Sequence, residues 1–297
     1  MTFIRLDSRQ RRQRLRIGGW GWRDTPGPFR IGATILAAHV LFAAIGALWT
    51  PYGFAQMATG MPLSGMSWLH PMGVDQIGRD VFSRFMHGAH IVLLLACGGT
   101  ILGMTAGTIL GLISGYVGGW FDEISQRLVE AMISIPFLAL ALVVIIAAGP
   151  ALAGNPLLIV FVVGLVYAPR IARIARAAAM EIATREYVAV AQLRGEGLWS
   201  IVLREILPNA ANILLVEFSL RLSYAPILIG ALGFLGFGIR PPTPEWGLMI
   251  SENRNLLIAS PATIFGPGLG LASLVIGLNL FTDGLSRMLG QRPAMGA

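Results

Sequence analysis

The chain has 297 residues, 55% hydrophobic and only 12% charged, a balance that excludes an ordinary soluble globular protein and points to a polytopic membrane protein. Its formal net charge of +7 rests on arginine alone, because no lysine occurs; a Walker A phosphate loop and a Schiff-base lysine are both excluded. The single cysteine, Cys97, lies in an apolar run and can form no intrachain disulfide.

Residues 1–30 form a basic segment, with Arg5, Arg9, Arg11, Arg12, Arg14, Arg16, Arg23 and Arg30 against Asp7 and Asp24. Such a cluster also suits nucleic acid, but beside an apolar stretch it marks the cytoplasmic side of a membrane, and no nucleic-acid partner is expected. Residues 31–49 suffice for a first transmembrane helix at about 1.5 Å per residue, and no small-residue cleavage site follows. From 50 to 88, prolines and glycines mark a periplasmic loop. Within it, residues 73–90 read as a short amphipathic helix at the interface. Asp75, Arg79 and Asp80 form local ion pairs there, and Asp80 to Arg84 has the favourable i, i+4 order.

The second span, about 89–116, carries Gly99, Gly103, Gly107, Gly111 and Gly115, followed by Gly119, every fourth residue. Glycine in a helix interior costs up to about 1 kcal/mol relative to alanine. The series therefore predicts a helix packed very close against it, either from the same core or from a partner subunit. Gly118-Gly119 and Asp122-Glu123 form a tight turn into a third span, about 125–148, bent at Pro136. A fourth span, about 156–174, ends in Arg170, Arg173 and Arg176, which are expected to face lipid headgroups or a partner protein.

Next comes a polar interruption, REYVAVAQLRGEGLWSIVLREILPN, Arg185 to Asn209, within a cytoplasmic loop 177–208. Trp199, Val202, Leu203 and Ile206 fall on one face of a surface helix, which Pro208 ends for want of an amide hydrogen. Tyr187, Ala191 and Gly195 lie one turn apart, so another body can approach the backbone closely. An ordinary re-entry loop between spans fits the same residues.

A fifth span, about 210–236, holds Glu217 and Arg221 four apart, where pairing along one helix face is the economical arrangement. The pair lines a translocation path or clamps two helices. In ALGFLGFGIRPPTPEWGLMI, 231–250, Pro241, Pro242 and Pro244 stiffen a firm outer rim, and Trp246 suits a membrane interface. A sixth span, about 264–283, precedes a cytoplasmic tail, 286–297. The far-side loops hold only Arg79, Arg84, Arg240 and Arg254, and Arg221 lies within a span. With the other arginines on the opposite side, both termini are expected in the cytoplasm. His70, His87 and His90 read as satisfied surface histidines, so no metal site is expected, and no catalytic constellation appears.

Three strings carry a resemblance. Ala189-Val190-Ala191, then Gly195, then Ile206-Leu207-Pro208-Asn209 resembles the Glu-Ala-Ala loop of permease subunits of binding-protein-dependent ATP-binding-cassette importers, with Ala189 in place of the acid and Glu205 in place of a common isoleucine. GVDQIGRDVFSRF, from Gly73, is similar to the signature of the dipeptide, oligopeptide and nickel branch, and 231–250 matches the same branch. The resemblance implies an all-α polytopic membrane protein of six transmembrane helices: one N-terminal helix plus a methionine-importer-like permease core of five, 89–285. It implies a coupling loop made by Glu186, Ala189, Ala191, Gly195, Glu205 and Pro208, with Gly195 set by close approach and the acids pairing with the ATPase. Asp75, Arg79, Asp80, Pro241, Pro242 and Trp246 would form the periplasmic rim. The implied partners are a homologous second permease subunit, two ATPase subunits and an extracytoplasmic substrate-binding protein, within the lipid of a bacterial inner membrane. This chain would hold no cofactor, ATP and Mg being bound by the ATPase subunits. The cargo would be di- or oligopeptides, with nickel or another small solute as the alternative. A secondary transporter or channel working without an ATPase is the reading from another class.

Overall fold

The computed structural model describes residues 25–258 and 260–290. Most of the basic N-terminal segment, and the tail from 291, lie outside the described residues. The chain forms α1 (Gly27–Leu48), α2 (Val81–Val117), α3 (Gly119–Ser134), α4 (Phe137–Ala148), α5 (Pro156–Ala183), α6 (Glu186–Leu193), α7 (Leu198–Ser200), α8 (Leu207–Phe234), α9 (Trp246–Asn253) and α10 (Ala262–Gly290). A π-helical stretch, Ile201–Ile206, joins α7 to α8, and a 3-10 turn, Arg254–Leu256, follows α9. Among the described residues the fold is all-helical. Five helical bodies among them, α1, α2, α5, Leu198–Phe234 and α10, are long and apolar enough to cross a membrane, and α3 with α4 makes a sixth if the two count as one span.

That sixth span is broken rather than merely bent: α3 and α4 meet at 97°. The cause is local. The residue before a proline is pushed out of the helical region, and Ile135, before Pro136, is extended at φ −81, ψ 130. The loop before α2 also differs from expectation. No separate interfacial helix occupies 73–90; Val74 and Asp80 pair in an isolated bridge, and α2 begins directly at Val81.

The centre of the molecule is a parallel seam between α2 and α5. A Cβ added at Gly103 would come 2.9 Å from the Gly164 carbonyl, at Gly107 2.5 Å from that of Ala168, and at Gly115 2.6 Å from that of Arg176. One at Gly111 would meet the Ala172 carbonyl, and one at Gly99 would lie 2.5 Å from Val163. The four-residue step of the glycines on α2 thus meets a four-residue step of carbonyls on α5. Backbone lies against backbone, close enough for weak Cα–H to oxygen contacts. The stripe's neighbour is a helix of the same chain, and Gly119 lies past the seam with open space around it.

Around this seam Leu95, Val162, Val166, Ile171, Leu228 and Ile229 bury one core shared by α2, α5 and α8. α1 packs outside it, against α10 and α2, with Gly32 against the backbone of Gly277 and Phe281.

Gly111→Ala is expected to overpack the seam at a cost of about 1–3 kcal/mol, lowering the thermal midpoint of the purified protein in detergent. Gly268→Ala on α10, where the added methyl meets open space, should leave the midpoint unchanged or raise it, by up to about 1 kcal/mol of helix propensity.

Candidate functional site

Beyond the seam, α5 ends at Thr184 and the chain turns through extended Arg185 into α6. α6 closes with two bonds beyond its last turn: the Gly195 amide donates to the Gln192 carbonyl and the Glu196 amide to that of Ala191. This geometry needs a residue in the left-handed region, which Gly195 supplies at φ +75. Hydrogen bonds from Ser200 and Arg194 then hold the Glu196 carboxylate below its ordinary range.

Val188, Ala191, Ile201, Val202 and Ile206 bury against Leu112, Ala175 and Ala179, and Gln192 Nε2 donates to the Tyr116 hydroxyl at 3.1 Å. Two expectations change here. Ala191 faces this chain's own core, not an open approach face. Gly195 needs the left-handed region, and no described atom lies within 4 Å of an added Cβ, so its backbone stands open. The expected apolar face of the second half is split: Val202 and Ile206 are buried while Trp199 and Leu203 are exposed.

Pro208 does not end the helix either. The Leu207 amide bonds the Val202 carbonyl, five residues back, and this wider turn carries the chain past the proline into α8. Glu186, Ala189, Gly195 and Pro208 are exposed and Glu205 is half-buried. With Tyr187, Val190, Leu193, Trp199 and Leu203 they make a largely apolar exposed surface; Leu193, 88% exposed, had no place in the sequence reading.

Halfway along the helices lies a second cluster. Arg221 Nε donates to Glu217 Oε1 at 2.6 Å, the pair expected on α8, and Glu217 is buried. Arg221 also lines a cavity of about 200 Å³ with Phe137, Tyr167, Arg170, Tyr224 and Ile227. The three arginines of α5 do not act as one group. Arg173 is exposed, Arg176 Nε donates to Asp122 of α3 at 2.6 Å, and Arg170 turns into the cavity.

At the far end of α2, Asp75, Arg79 and Asp80, expected at a rim, form a buried polar network. Asp75 accepts from the Arg79 Nε at 2.6 Å and from the amides of Ile77 and Arg79. Asp80 caps α2 through the Ser83 amide and bonds His70 Nδ1 at 2.8 Å. The expected Asp80–Arg84 pair is absent. Asp80 is turned toward the first amides of α2, and Arg84 instead reaches Glu252 of α9 at 2.7 Å, which Arg79 also meets at 3.2 Å.

Trp246 is a second correction. It is fully buried rather than at an interface, stacked on Phe85 with its Nε1 donating to the Phe85 carbonyl at 3.0 Å. Pro241 and Pro242 are exposed, and Arg84 Nη1 reaches the Pro242 carbonyl at 3.4 Å. Fully buried Glu245 accepts from the amides of Gly247 and Leu248, and burial pushes its carboxyl up to about 7.

Glu252→Gln strips buried Arg84 of its carboxylate partner, while Arg79 keeps Asp75, and is expected to cost about 3–5 kcal/mol, read as a lower unfolding midpoint. Glu245 generates a pH dependence. The unfolded chain releases this proton near 4.5 and the folded state only near 7, so the native state binds the extra proton between. Its contribution to stability is full below about 4.5 and lost as pH rises through about 7. Glu245→Gln, which keeps an acceptor oxygen, should flatten the unfolding midpoint across that interval.

Among characterised proteins, the family described as binding-protein-dependent transport system inner membrane component matches residues 107–294. The dipeptide transport system permease protein DppC of Escherichia coli K12 is 39% identical over 253 residues, covering 83% of each chain. DppC of Alkalihalophilus pseudofirmus is 32% identical over 259 residues, 86% of this chain and 83% of that one. The glutathione transport system permease protein GsiD of Pectobacterium atrosepticum is 35% identical over 221 residues, 74% and 72%. These relatives are permeases, and a channel or secondary transporter working alone is not favoured. With its multiple spans, its glycine seam and its shared length with these permeases, the chain belongs to the inner membrane components of binding-protein-dependent transport systems.

Proposed function

We propose that this chain is one permease subunit of an ATP-driven importer of di- and oligopeptides, forming half of the translocation pathway in a bacterial inner membrane. Relatives named for dipeptide and glutathione transport support small peptides as the cargo. The other half comes from a homologous second permease, and an extracytoplasmic binding protein delivers the peptide at the α9 end. Two ATPase subunits hold ATP and Mg and dock at the α6 end. Both termini lie in the cytoplasm on this reading, as does the arginine-rich α6 end.

One observation carries the coupling role: an exposed apolar knob, Tyr187, Val190 and Leu193, stands on a stem buried in the chain's own core through Val188 and Ala191. A knob of that kind transmits force because it cannot move without α2 and α5. Exposed Glu186 and half-buried Glu205 flank it and suit pairing with basic groups of an ATPase. Nucleotide binding would draw two such knobs together and tip the helices between inward-open and outward-open states. The cargo biases that equilibrium only through differential affinity for the two states. Glu217 and Arg221 lie on the path between the permeases.

The test is Leu193→Asp in the reconstituted complex. Loss of co-purified ATPase, or a fall of about tenfold in binding-protein-stimulated hydrolysis, is expected with the permease's own thermal midpoint unchanged. Full stimulation by this variant would remove the knob from the docking surface.

A further inference from the structure

The cavity between α4, α5 and α8 is charged beyond what the Glu217–Arg221 pair explains. Arg170 and Arg221 stand at the midpoints of α5 and α8, where an ionised side chain without a partner is expensive. Arg221 has Glu217. Arg170 has no carboxylate partner among the described residues; its Nη1 donates to the Val166 carbonyl of its own helix at 3.1 Å. Both arginines line the same cavity. Two cations and one anion leave a net positive charge.

Two further features face the same space. Tyr167, only 4% exposed, lines the cavity with its hydroxyl buried and without a hydrogen-bond partner among the described residues. A buried hydroxyl left so costs about 1–3 kcal/mol, which an acceptor in the cavity would recover. α4 also begins here at Phe137, because Pro136 breaks the α3–α4 span. Pro136 offers no side-chain acceptor to the first-turn amides, so the positive end of the α4 dipole is left for another anion. A broken helix whose first residue, Phe137, lines a charged cavity is a fitting place to hold an anionic group.

We infer that this cavity is a carboxylate-binding station on the transport path, where Arg170 and Arg221, the Tyr167 hydroxyl and the first amides of α4 receive the C-terminal carboxylate of a peptide in transit. This rests on the peptide-import reading above. A carboxylate meets a guanidinium through two parallel hydrogen bonds and leaves an oxygen lone pair for the tyrosine. The volume, about 200 Å³, accommodates one end of a peptide rather than the whole. Phe137, Tyr224 and Ile227 are part-exposed beside it, so the remainder of the peptide extends toward the second permease. A station that holds the carboxylate only in passing lowers the barrier to crossing without trapping the cargo.

The experiment measures uptake of Ala-Ala and ATP hydrolysis by the complete complex, with its binding protein, in proteoliposomes. For Arg170→Gln the dipeptide taken up per ATP should fall about tenfold, in line with the loss of a charge-assisted hydrogen bond, and Arg170→Lys should restore at least half of it. A structural role would lower uptake and hydrolysis together; an unchanged ratio in Arg170→Gln overturns the station. Should Arg170→Gln fail to assemble, Tyr167→Phe carries the same test, with a fall of about threefold expected and an unchanged ratio overturning it. A wild-type complex that hydrolyses ATP but takes up no dipeptide sinks the peptide reading and the station together, an outcome distinct from failure of the station alone.

Discussion

The seam between α2 and α5 is the constraint on which the rest depends. Five glycines on one helix face a row of carbonyls on the other at spacings where no side chain fits. In lipid there is no hydrophobic gain from bringing two apolar helices together, so close packing must supply the attraction. The seam places Tyr167 and Arg170, both on α5, at a fixed height against α8. It also brings Tyr116, near the end of α2, to Gln192 of α6.

The two ends of this rigid body are built in opposite ways. At the α9 end, polar groups face inward: Arg79 and Arg84 converge on Glu252, Asp80 holds His70, and Trp246 fills the space between α2 and α10. Buried and paired, they lock α9 to α2. At the α6 end the inside is apolar and the outside carries exposed Tyr187, Leu193 and Trp199. On the coupling role proposed above, a locked end and an exposed apolar end on one stiff body suit a lever.

Much of the frame was legible in the sequence because membrane spans and glycine steps are local patterns. The long apolar runs predicted the helices, and a four-residue glycine period predicted a close neighbour whichever helix that proved to be. Glu217 and Arg221 are four apart on one helix, so their pairing needed no tertiary knowledge. Other expectations turned on competition between partners. Asp80 and Arg84 have the spacing of a pair, yet the bare amides of α2 and a carboxylate from distant Glu252 outbid it. Trp246 reads as an interface ring by type alone, while its burial follows from Phe85 and α10 closing around it.

By itself the sequence determined the class of molecule, the charge asymmetry and the loop between α5 and α8, because each depends on composition or short-range period. Only the tertiary structure decided that α5 is the helix against the glycines, that Ala191 faces inward while Leu193 faces out, and that Arg170 joins Arg221 and Tyr167 in one cavity. The reason is physical: a one-residue rotation of a helix changes which side chains meet across a gap, and that rotation is set by the packing of the neighbouring helices.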